Sequence, residues 1–71
     1  MDTYVIARLN EGTNEYEQVG RATGTAPQAA LEGWMSRHGG TEAGRYGVRR
    51  EDSADPWTPL VIENTGKVVP D

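Results

Sequence analysis

One stretch, Thr25 to His38 (TAPQAALEGWMSRH), does most to limit what this chain can become. It is the one run with apolar residues at helical spacing, and the sequence around it reads as short strands and turns. Ala30, Leu31, Trp34 and Met35 form one stripe, with Glu32, Ser36 and Arg37 largely on the other side. Thr25 with Gln28 three residues on has the form of a capping box, so Thr25 is the expected N-cap. Pro27 falls in the first turn, where a missing N–H costs little. Arg37 and His38 suit the negative end of the helix dipole, and Gly39 and Gly40 predict a left-handed stop. Gly33 in the helix interior costs about 1 kcal/mol against alanine, and its expected reason is close approach to a strand. Such a helix, about 20 Å long, is marginal alone in water. Its stripe needs strands to lie on.

Those strands are legible. Thr3 to Leu9 (TYVIARL) is rich in Tyr, Val and Ile and reads as the first. Alternation gives it two faces, Val5-Ala7-Leu9 and Tyr4-Ile6-Arg8. The first is wholly apolar and is expected under the helix. Asn10 to Asn14 (NEGTN) is a turn cluster, and Tyr16 to Thr23 (YEQVGRAT) returns as strand two. Val19 and Ala22 cannot share a face under strict alternation, so a bulge is expected at Gly20. After the helix, Arg45 to Arg50 (RYGVRR) forms strand three, with Tyr46 and Val48 on one side. Trp57 to Glu63 (WTPLVIE) forms strand four, with Pro59 at its start or at an edge. Lys67 to Val69 is expected to pair back briefly, within a tail over 67–71 that frays. A crossover through the helix places strand three beside strand one. The expected fold is therefore a single α+β domain over 1–71: a two-layer sandwich, β-β-α-β-β, with an antiparallel sheet of about four strands in the order 2-1-3-4 and the helix on one face.

The runs TYVIARL, YEQVGRAT and TAPQAALEGW resemble small β-β-α-β proteins of actinobacteria and their phages. Tyr4-Val5, Val19-Gly20 and Ala29-Ala30-Leu31 carry the likeness, over roughly residues 3–50. The layout is also similar to the small B subunit of the phenylacetyl-CoA epoxygenase complex, a non-catalytic partner protein. The resemblance implies the fold and a role that depends on a partner. It transfers no functional residue.

Composition narrows the function classes. The 71 residues carry a net charge of −4, no Cys and no Phe, and only 35% are apolar. A chain this small with so few large side chains has a thin stability margin. Without Cys there is neither a disulfide nor a thiolate metal site. Nucleic acid is not an expected partner because backbone binding needs a basic footprint. No signal peptide or apolar span is visible, so no membrane is expected and the default compartment is the cytoplasm, bacterial or, for a phage protein, that of the host.

Candidate chemistry is sparse. His38 is the sole histidine, and its place in the last helical turn already explains it. Ser36 and Ser53 lack any nucleophile setting, and the carboxylates lack a cleft. Gly20 to Thr25 runs from a strand into a helix N-terminus, a topology able to hold phosphate, but it matches no phosphate-loop pattern. Arg45, Arg49 and Arg50 form the one basic cluster, with Arg45 and Arg49 on the same side and Glu51 and Asp52 near enough to neutralise them. Pro56 to Pro59 (PWTP) matches a polyproline ligand, although Trp57 reads better as core or interface.

No catalytic, cofactor or metal residue is expected, and the protein is read as a non-enzyme. The expected role is a protein–protein interaction module, a homodimer or a subunit of a larger assembly. Its contact is expected on the helix-free sheet face, through Tyr4, Ile6 and Trp57. Two alternatives stay open: an acidic inhibitor or anti-defence protein that blocks a basic nucleic-acid-binding site, and a small anion-binding protein or enzyme that uses the Gly20–Thr25 turn.

Overall fold

The computed structural model describes residues 1–39, 42–54 and 56–71. Its elements are β1 (Asp2–Asn10), β2 (Glu15–Gly24), α1 (Pro27–Arg37), β3 (Gly44–Arg50), β4 (Thr58–Ile62) and β5 (Val68–Pro70). The strands form one antiparallel sheet in the order β2-β1-β3-β4-β5. The expected 2-1-3-4 order is therefore present, with a fifth strand added. That strand comes from the segment expected to fray: Val68 is fully buried and pairs with Ile62.

Helix and sheet meet in one core. Ala30, Leu31 and Trp34 pack with Tyr4 and Ile6 of β1, Ala22 of β2, Tyr46 and Val48 of β3, Leu60 and Ile62 of β4, and Val68. This reverses the expected phase of β1. Tyr4 and Ile6 lie under the helix, while Val5 and Ala7 are buried against the other side of the sheet. The apolar count favoured the Val5 face, but Ala7 and Val5 are small, and the helix needs the larger volume of Tyr4 and Ile6 beneath its Trp34 and Leu31. Tyr4 and Ile6 are thus buried under the helix and do not lie on the helix-free face where a contact was expected of them.

The two glycines of β2 set how closely the helix lies. A Cβ at Gly20 would come within 2.4 Å of the Trp34 indole Nε1, and one at Gly24 within 2.8 Å of the Ala30 backbone N. Gly33, the residue expected to approach a strand, has nothing within 4 Å of where a Cβ would stand. The bulge is present: Ile6 faces Gly20 and Ala7 faces Gln18, which leaves Val19 as the extra residue and exposed.

The helix ends also differ from expectation. The N-cap is Ala26, and no side chain caps it. Gln28 does not close a capping box; its Nε2 donates to the Val68 carbonyl at 3.1 Å, tying the first turn of α1 to β5. At the other end His38 is the C-cap, with φ −107°, and its N–H donates to the Trp34 carbonyl at 3.0 Å. Gly39 is not in the left-handed region, and Gly40 lies outside the described residues. The β1–β2 turn is closed by Asn10, whose Oδ1 accepts from the Gly12 and Thr13 amides, and by Asn14 at φ 58°. Among the described residues no helix is long and apolar enough to cross a membrane.

Candidate interaction surface

The face of the sheet turned away from α1 is set by alternation. It carries Val5, Ala7 and Leu9 on β1, flanked by Arg21, Gln18 and Tyr16 on β2 and by Arg49, Gly47 and Arg45 on β3. Beyond β3 come Pro59 and Val61, opposite Gly47 and Arg45. Ala7 and Gly47 are a cross-strand pair of small residues at the middle of this face.

Two aromatic side chains close over that small floor from opposite sides. A Cβ at Gly47 would lie 2.6 Å from the Tyr16 ring and 3.1 Å from the Trp57 Cβ. Tyr16 therefore reaches from β2 across β1 to lie on Gly47, and this is why Ala7 is fully buried on a face that has no helix. Trp57, just before β4, meets Tyr16 with ring centroids 5.4 Å apart and planes tilted by 34°. The Arg49 guanidinium sits 4.6 Å from the Trp57 ring centroid, a cation–π contact. Tyr16, Trp57 and Arg49 are each half-buried, so the cluster is held in place yet open to solvent. Of the three residues expected at the interface, the structure puts Trp57 on this face and the other two in the core. Sequence reasoning missed Tyr16, although its phase could be read: β1 and β2 pair across a single bulge, and Tyr16 stands opposite Leu9.

Charge is distributed unevenly about this cluster. Arg21, Arg45 and Arg49 occupy the same face, in a chain whose net charge is −4. Arg21 has Glu51 at 3.4 Å and Arg45 has Asp71 at 3.9 Å, both pairs exposed and each worth little. Among the described residues no carboxylate pairs with Arg49. Arg50 points the other way, toward Asp2 at 3.7 Å and Asp52 at 3.6 Å.

Most of the remaining candidates make contacts within the fold. His38 stacks on Trp34 with centroids 4.8 Å apart, and its Nδ1 lies 3.0 Å from the Trp34 carbonyl. The Gly20–Thr25 run is strand up to Gly24, and its glycines admit the helix, as described above. Within the PWTP stretch, Thr58 and Pro59 belong to β4; Pro59 pairs with Gly47, and its carbonyl accepts from the Asp71 amide, so that half of the segment is held in the sheet. Ser36 is exposed on the helix, and the Ser53 amide donates to the Arg50 carbonyl. Asp55 lies outside the described residues. Near the β1–β3 end, Arg8 meets Glu42 at 2.8 Å, and the Tyr46 hydroxyl donates to the Glu42 carbonyl at 2.8 Å. Burial raises the Tyr46 phenol above its ordinary value, against the lowering effect of nearby Arg8. An open notch of about 490 Å³ lies beside this end, where β1 and β3 part beyond the Arg8–Tyr46 pair. Its lining is polar, with Asn10, Glu11 and Arg45 among it. No group of three or more potential metal ligands is assembled among the described residues.

No protein-family profile, curated protein or solved structure matches the chain. The likeness to β-β-α-β proteins rests on the sequence runs alone, and the functional reading rests on the geometry of this chain.

Proposed function

We propose that the protein is a small non-enzymatic interaction module, and that its working surface is the helix-free face of the sheet. The observation that carries this reading is the half-buried Tyr16–Trp57–Arg49 cluster at the centre of that face. Trp, Tyr and Arg are the residue types that dominate binding hot spots. Here Tyr16 and Trp57 are already held by their packing on Gly47, and Arg49 lies over the Trp57 ring, so little side-chain freedom is lost when a partner covers them. The partner is a different protein. A two-fold pairing of this face with itself would oppose Arg21, Arg45 and Arg49 to the same basic patch, and like charges across an interface disfavour it. An acidic-blocker role has less support. Five of the eleven acids, Asp2, Glu42, Glu51, Asp52 and Asp71, stand in ion pairs with arginines and are partly neutralised toward a basic site.

The test compares capture from the native source by three forms: wild type, Arg49→Glu, and Glu32→Lys on the exposed side of the helix. Circular dichroism confirms the fold of each. The reading expects one bound protein to be lost with Arg49→Glu and kept with Glu32→Lys. A bound set that is unchanged by Arg49→Glu, or lost only with Glu32→Lys, refutes it.

A further inference from the structure

We infer that the partner offers this face an acidic, extended segment that carries at least one aromatic or aliphatic side chain. The inference rests on the reading of the helix-free face as the contact surface, and it adds the chemistry of what is bound.

Charge complementarity is the main argument. The chain as a whole repels anions, yet three of its arginines stand on one face of one sheet. Arg45 and Arg49 lie four residues apart on β3, on the same side, which is about 13 Å along a strand. An extended segment laid along β3 presents side chains at i and i+4 at that same spacing, so two carboxylates four residues apart meet both guanidiniums. Between the two arginines lies Gly47, covered by the Tyr16 ring. The residue of the segment at i+2 therefore stands over Tyr16 and Trp57, and an apolar side chain there completes the contact. Arg21 on β2 flanks the same track and accepts a further carboxylate. The arginines are available for exchange. Arg49 stacks on Trp57, and the Glu51 and Asp71 pairs of the other two are exposed. A guanidinium stacked on an aromatic ring still has its N–H edge free for a bidentate carboxylate.

A single-stranded nucleic acid is the other polyanion such a face suggests, and the packing of the cluster disfavours it. Tyr16 and Arg49 already pack against the Trp57 ring, so the cluster is not an open stacking platform.

The probes are three fluorescein-labelled ligands: an acidic peptide of eight residues with Glu at positions two and six and Trp at position four, the same peptide with Lys for Glu, and an oligothymidylate. Binding is followed by anisotropy, and the contact face by amide shifts in heteronuclear NMR. Expected are binding of the acidic peptide alone, weakening as salt is raised, and shifts at Arg21, Arg45, Arg49 and the Trp57 indole. Arg49→Glu should weaken binding by roughly thirtyfold or more, the loss typical of a central arginine anchor. Arg37→Glu, at the far end of the helix, should leave it unchanged. Binding of the oligothymidylate with no binding of the acidic peptide overturns the inference, as do equal binding of the lysine peptide and shifts confined to another face. Sedimentation as a dimer that protects this face also overturns it. If the acidic peptide fails while Arg49→Glu still strips a protein from the native capture, the surface is right and the assigned chemistry is wrong. If both fail, the surface itself is wrong.

Discussion

Gly20→Ala adds one methyl group at the point where sheet and helix are closest. Gly20 stands opposite Ile6 on the helix side of the sheet. A Cβ there would lie 2.4 Å from the Trp34 Nε1 and 3.3 Å from the indole Cδ1 and Cε2, whereas ordinary contact begins at 3.4 Å. The indole would have to retreat by roughly an ångström, and a close-packed interior resists such a shift. It is 8% exposed, it meets Tyr46 with ring centroids 6.4 Å apart, and His38 stacks on it at 4.8 Å. Overpacking of this kind costs about 1–3 kcal/mol. Replacing a strand glycine by alanine returns about 0.5–1 kcal/mol of chain entropy. The expected net loss is about 1–2 kcal/mol, a fall in Tm of about 4–16 °C for a chain of this size. A thermal melt by circular dichroism, with Trp fluorescence in urea as a second probe, measures it. The cause is then isolated by Trp34→Leu, which has no atom where the indole Nε1 stands and the methyl would strike. In that background Gly20→Ala should cost clearly less, so the two changes should be coupled in a double-mutant cycle. A Gly20→Ala melt equal to or above wild type would refute the close approach. Equal costs in both backgrounds would refute the assignment to the indole.

Gly33→Ala should do the opposite: a methyl group there meets nothing within 4 Å, so the helix should gain up to about 1 kcal/mol, read as a raised melting temperature. Trp34→Ala should cost about 3–5 kcal/mol and leave no cooperative transition in a chain with so thin a margin; a melt shifted by only a degree or two would contradict the core assignment. Tyr46 gives an alkaline dependence: its folded value is raised, mainly by burial, so its contribution is whole below the ordinary phenol value of about 10 and is lost as pH rises through the higher folded value. Tyr46→Phe should lower stability at neutral pH by about 0.5–1.5 kcal/mol through the lost bond to the Glu42 carbonyl, and flatten the alkaline decline; urea midpoints from about pH 8 to about pH 11 would show both.

Strand order, the helix and the bulge were legible because each rests on local pattern. β-branched and aromatic runs, a turn built on Asn10, Gly12 and Asn14, and the Val19–Ala22 mismatch are all written within a few residues. What was not legible depends on partners distant in sequence. Gln28 has the spacing of a capping residue, yet it bonds to Val68, forty residues on, and nothing around Thr25 could announce that. Gly33 and Gly20 look alike in sequence as glycines inside elements. Only the docking of Trp34 decides that Gly20 is sterically required and Gly33 is not. β5 went unclaimed as a full strand because three residues ending in Pro70 carry too little pattern of their own; β4 and Gln28 supply the pairing that makes them one.

The face of β1 is where such a distant decision matters most for function. Period-two alternation sorts Val5, Ala7 and Leu9 from Tyr4, Ile6 and Arg8, but it does not say which set meets the helix. Apolar content chose one answer and side-chain volume chose the other, because the small floor of Ala7 and Gly47 is what lets Tyr16 and Trp57 fold down over the far side. With Tyr4 and Ile6 outward, the open face would have been a greasy patch suited to a second copy of itself. With Val5 and Ala7 outward beneath the aromatic pair, the exposed chemistry is that of Arg21, Arg45 and Arg49 around a half-covered cluster. Among the described residues the large hydrophobics left exposed are Met1 and Val19, neither of them part of that cluster. The same sequence, shifted by one residue in phase, would offer an apolar surface; in the observed phase it offers three arginines, which is why an acidic partner is the one proposed.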